Sequence, residues 1–186
     1  MTMARHPVSR FLRHFGQDES GNGTIEFVLI LPAFIAIFLS TFELGMLMSR
    51  QVMLDRGLDM AVRQVRLGLV SADAENSLHD VLKARICDNT ALIPNCLNEI
   101  RLEMQPIDPR NWSIIPDAVD CVDRDDPSQA ARTFVAGLSN QLMILRACAL
   151  FDPYFPTTGL GAALPRMSGG AYGLISVSSF VIEPNS

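Results

Sequence analysis

Histidine is scarce in this 186-residue chain: of three, only His79 lies beyond residue 14. The four cysteines include no C-x-x-C pair, so the ligand spacings of a zinc site are missing. A Cys–His nucleophile would have to use His79, which falls in an amphipathic helical pattern and reads as a surface residue. Clustered basic charge is also missing. Residues 71–186 carry eight basic and fourteen acidic groups, a net of −6, whereas a phosphate-tracking surface needs a basic footprint. These absences argue against nucleic acid as a partner and leave no catalytic constellation to assemble, so the chain reads as a non-enzyme without a cofactor. One acidic group, Asp120, Asp123, Asp125 and Asp126, offers hard oxygen ligands and makes a minor calcium candidate. It lacks the Gly and the terminal Glu of an EF-hand loop, and reads first as a solvated capping loop.

What the chain does have is one long apolar run. From Phe27 to Phe42 the only residues outside the apolar set are Pro32, Ser40 and Thr41, and after Glu43 the pattern resumes as Leu-Gly-Met-Leu-Met. As one helix, Phe27–Ser49 covers roughly 34 Å at about 1.5 Å per residue, enough to cross a hydrocarbon core about 30 Å thick. A secretory signal has an apolar region of about 7 to 15 residues and then a small-residue cleavage site. Here the run is longer and passes into an amphipathic pattern with no A-x-A-like site, so the span is expected to stay in the lipid bilayer. Pro32, in the first turns, bends such a helix without ending it. Glu43 reads as an interfacial acid met by water or by a later Arg.

The charges flanking the span do not orient it, because Arg5, Arg10 and Arg13 precede it while Arg50, Arg56, Arg63 and Arg66 follow. Cysteine does better. Cys87, Cys96, Cys121 and Cys148 all follow the span, an even number on one side, as expected in an oxidising compartment. Three pairings are open, of which 87 with 96 and 121 with 148 needs the least chain crossing; four reduced, buried thiols are the alternative.

Past the span, Leu54, Leu58, Ala61, Val62, Val65 and Leu69 recur at helical spacing while Asp55, Arg56, Asp59, Arg63 and Arg66 take the other face. No Pro interrupts residues 33–70, so one helix is expected from about Thr24 to about Leu67, ending near Gly68. A second helix, capped by Ser71 or Asp73, carries Leu78, Val81, Leu82 and Ile86 on one stripe. Ile100, Leu102 and Met104 alternate with Arg101, Glu103 and Gln105, the pattern of a strand with one wet face. Asp126 to Gln129 suits the cap of a short helix ending at Gly137. Gln141–Phe151 and Tyr172–Val181 read as strands separated by a linker, residues 153–170, rich in Pro and Gly. The expected class is α+β: a long membrane helix extending into a small head with a mostly antiparallel sheet. The expected divisions are a leader at 1–21, a transmembrane helix at 22–49, an amphipathic extension at 50–69 and a head at 70–186.

The remaining motif stands at the mouth of the span. Gly21 is followed five residues later by Glu26 and then by the apolar helix, and the stretch from Glu19 to Pro32 reads ESGNGTIEFVLILP. Gly-x-x-x-x-Glu before a membrane helix resembles the processing site of type IV pilin-like proteins. Residues 15–66 resemble more narrowly the TadE-type pseudopilins of tight-adherence (Flp) pilus systems. The resemblance implies a pilin-like fold and a cut between Gly21 and Asn22 by a prepilin peptidase. A basic leader would stay in the cytoplasm while the single-pass chain stays in the bacterial inner membrane with its head in the periplasm. It further implies partners in other pseudopilins, the major Flp pilin and the inner-membrane assembly platform, with incorporation into a pilus as one outcome. For Glu26 it implies a cationic partner, the ammonium group freed by the cut in its own chain or a neighbouring subunit. An uncleaved anchor similar to TadG-type proteins is the alternative within the same apparatus.

Overall fold

The computed structural model describes residues 22–70, 77–110, 116, 118–126 and 133–184. The leading element among the described residues is one helix, α1 (Asn22–Arg66), continuous across Pro32. Helix α1 closes where Gly68 turns left-handed (φ 66°), with the Gly68 and Leu69 N–H groups donating back to Val65 and Gln64. Then come α2 (Leu78–Asp88), the single turn α3 (Cys96–Glu99), β1 (Ile100–Pro106), β2 (Leu142–Phe151), the short α4 (Gly159–Ala163) and β3 (Tyr172–Val181).

The described cap of α2 is Ser77, whose hydroxyl accepts from the Asp80 N–H and donates to the Asp80 carboxylate at 2.7 Å. The expected caps Ser71 and Asp73 lie outside the described residues, as do Pro127–Gln129 of the expected short helix. Bonds from Ser77 and then His79 hold the Asp80 carboxyl below its usual range.

The three strands form an antiparallel sheet in the order β1-β2-β3, with Met104 opposite Leu145 and Ala149 opposite Leu174. One face meets α1. Leu54, Leu58, Ala61, Val62 and Val65, the stripe legible in the sequence, are buried there with Leu82 and Ile86 of α2 and the inward row Met143, Leu145, Ala147, Ala149 and Phe151 of β2. At Gly57 the two helices nearly touch: a Cβ there would lie 2.6 Å from Thr90 Cγ2 and 3.1 Å from the Ile86 carbonyl oxygen.

The second face of β1 is not wet. Arg101 and Glu103 are both about 6% exposed, because the segment around residues 118–124 lies over the sheet, held by the Cys121–Cys148 disulfide and by Val122 against Leu150. Charge compensation makes that burial tolerable: Arg146 meets Glu103 at 2.7 Å and donates to the Pro116 carbonyl, while Arg101 lies 3.5 Å from Asp120. Alternation along β1 could register two faces, but not a loop returning from further along the chain. Cys87 and Cys96 form the other disulfide, tying the end of α2 to α3.

Candidate functional site: the apolar helix and its junction with the head

The part of α1 over residues 23–38 stands almost wholly exposed. Phe27, Leu29, Phe34, Ile37 and Phe38 are each at least 60% exposed on an otherwise apolar helix, far more apolar surface than a water-soluble helix shows, and the helix suits a single-pass membrane anchor. Pro32 is exposed within it. Glu26 is exposed too, on the described part of the helix just ahead of the apolar run. Gly21 lies outside the described residues.

Glu43 departs from its sequence reading. It is fully buried, and its Oε2 accepts the backbone N–H groups of Tyr154 (2.9 Å) and Phe155 (3.1 Å), 111 and 112 residues away. Two helical turns on, Arg50 is 4% exposed; it donates to the Tyr172 hydroxyl (2.9 Å) and the Asp152 carbonyl (3.3 Å). Its guanidinium lies 4.8 Å from the centre of the Phe151 ring and 4.7 Å from that of Tyr154. A buried cation is stabilised by this combination of ring faces and acceptors. Burial pushes the Tyr172 hydroxyl above its ordinary pKa, and the nearby Arg50 charge opposes that shift. Phe42 adds edge contacts to the Tyr154 and Phe155 rings at 5.8 and 6.0 Å.

This junction fixes the descent of the chain after β2. Arg124 pairs with Glu99 (3.0 Å) and Asp152 (2.7 Å), so the start of the descent is bound to α3 as well. The bond to Asp152, chiefly, raises the Arg124 pKa. Sequence reasoning offered a later Arg for Glu43 without naming Arg50, and missed Tyr154, Phe155 and Tyr172. The seven-residue step from Glu43 to Arg50 on one helix face was the available signal; the strand and loop residues carry none.

The remaining candidates are dispersed. Asp120 faces Arg101 while Asp123 accepts the Asp125 N–H, and among the described residues no group of three or more His, Cys, Asp or Glu is arranged to hold a metal ion. His79 lies against Phe134 and Asp80, and the four cysteines are all in disulfides, which leaves no thiolate for it to activate.

Residues 21–63 match the family model of TadE-like proteins. The TadE-like segment starts at Gly21, one residue before α1, and covers the exposed apolar helix together with the first part of the helix that packs on the sheet. The match spans 43 of the 186 residues and likens that segment to TadE-like proteins, a family of Tad pilus assembly that is not known as enzymatic. No curated protein and no solved structure gives a match.

Proposed function

We propose that this chain is a minor pseudopilin of a Flp/Tad pilus assembly system, cut between Gly21 and Asn22 by a prepilin peptidase and acting in pilus biogenesis and adherence. The observation that supports it best is that the TadE-like match begins at Gly21, with Glu26 five residues on at the start of an exposed apolar helix. Glycine before the cut suits a protease that must approach the backbone closely, since it has no Cβ. In this reading the basic leader remains cytoplasmic, the helix sits in the inner membrane, and the disulfide-bonded head faces the periplasm. Glu26, costly in lipid when alone, takes the new N-terminal ammonium of its own chain or of a neighbouring pseudopilin as its partner.

The test is the intact mass and N-terminal sequence of the protein recovered from its own membranes, beside a Gly21→Ala variant. A chain beginning at Asn22, absent from the variant, supports the pseudopilin. A full-length chain in both overturns the processing step and leaves the uncleaved, TadG-like scaffold as the account.

A further inference from the structure

The segment Tyr154–Leu164, which contains α4, folds down along α1 rather than out into solvent. Leu160 stands beside Ala36, Ile37, Ser40, Thr41 and Leu44, and together they line an open, largely apolar groove of about 410 Å³. The level of that groove is fixed by the helix. A hydrocarbon core about 30 Å thick takes about 20 helical residues, so a span counted from Asn22 ends at Thr41, and one counted from Phe27 ends at Met46. Either limit falls beside this segment.

Two independent features fit that depth. Irregular backbone near lipid is tolerable only if its polar groups are satisfied within the protein. Here Glu43 takes the N–H groups of Tyr154 and Phe155, Ser40 Oγ takes that of Leu160, and the N–H groups of Thr158, Ala162 and Leu164 bond within the segment. Arg166 donates to the carbonyls of Pro156 and Gly161 at 2.8 Å each. The outward side chains are also of the right kind. Ala162 and Ala163 are exposed, and Tyr154, 48% exposed, lies against Phe42, an aromatic pair at the height where amphipathic rings favour the membrane interface.

We propose that Tyr154–Leu164 is a second membrane contact: it seats in the boundary between headgroups and acyl chains of the leaflet nearest the head, with lipid filling the groove beside Leu160. The head thereby rests on the bilayer instead of swinging from the helix. The inference rests on the membrane-anchor reading of α1 and is independent of any pilus role.

The experiment uses the full chain in bilayers of phosphatidylcholine and phosphatidylglycerol, in a Trp112→Phe background, with single tryptophans introduced as Ala163→Trp, Phe34→Trp and Leu138→Trp. Emission is read with lipids brominated high on their acyl chains and with aqueous iodide. For Ala163→Trp the expected result is a loss of roughly half the emission to the brominated lipid and little to iodide, as for a side chain about 5–10 Å inside the interface. Leu138→Trp, on an exposed turn of the head, shows the reverse. Quenching of Ala163→Trp by iodide alone overturns the inference, and quenching by neither agent also does, because a protein surface then covers the groove. If Phe34→Trp escapes lipid quenching, the anchor reading itself fails; if only Ala163→Trp escapes, the second contact alone fails. Tyr154→Trp, a conservative exchange, gives the same readings should Ala163→Trp not fold.

Discussion

Replacing Glu43 by Ala isolates the junction between the helix and the segment that descends along it. The carboxylate accepts two N–H groups, and hydrogen bonds to a charged acceptor contribute about 1.5–3 kcal/mol each. Two such bonds together amount to about 3–6 kcal/mol, and both fall on the same carboxylate oxygen. These effects overlap, so we take about 3–5 kcal/mol for local opening of the segment. At about 1.4 kcal/mol per power of ten, amide exchange at Tyr154 and Phe155 should accelerate by about two to three and a half powers of ten. Glu43→Gln retains an oxygen acceptor and should lose only about one power of ten. Ser40→Ala serves as the local control: it removes the acceptor of the Leu160 N–H at 3.3 Å and should accelerate Leu160 while sparing the other two. The assay is hydrogen exchange by NMR or mass spectrometry on the membrane-embedded chain. Unchanged exchange at Tyr154 and Phe155 in Glu43→Ala would refute the claim that this acid holds the segment.

Three further outcomes follow from the packing. In the chain-entropy model, opening the Cys121–Cys148 disulfide by Cys148→Ala with Cys121→Ala should cost about 3.6 kcal/mol, against about 2.7 kcal/mol for the Cys87–Cys96 disulfide with its shorter loop, measured by denaturant unfolding. The first loss should be accompanied by solvent entry to Arg101 and Glu103, read as faster exchange along β1. Gly57→Ala gains about 1 kcal/mol of helix propensity but sets a methyl 2.6 Å from Thr90 Cγ2, so it should destabilise by about 1–3 kcal/mol overall in the same assay. For Tyr172 the sign is set by its raised pKa. The folded chain holds the proton longer, so its contribution is complete below about pH 10, where the unfolded tyrosine ionises, and is lost as pH rises through the higher folded value. Denaturation midpoints measured from pH 9 upward should fall more steeply in the parent than in Tyr172→Phe.

Local regularity explains which elements were legible. The limits of β3 match the expected strand, and β2 differs by one residue at its start, because each is an apolar segment closed by turn residues on at least one side. The core stripe of α1 was legible because helical periodicity repeats within a single element. The errors occur where cover comes from elsewhere in the chain. Arg101 and Glu103 alternate with apolar residues as on any half-wet strand, yet a segment some twenty residues away encloses them. The segment read as a linker from its Pro and Gly content contains α4 and descends along the anchor.

The sequence alone determined that the chain has a long apolar helix with a one-sided extension, two further strong strands, four cysteines on one side of the span, and a glycine and a glutamate five residues apart at its mouth. Each of these is a property of residues close together in the chain, set by side-chain hydrophobicity and backbone preference. Only the tertiary structure decided the environment of Glu43. A carboxylate nearly half-way along α1 looks interfacial in any local window, and its two donors belong to a loop more than a hundred residues later. Whether an acid is solvated or buried depends on which backbone comes back to meet it, and that contact exists only once the sheet has been laid against the helix.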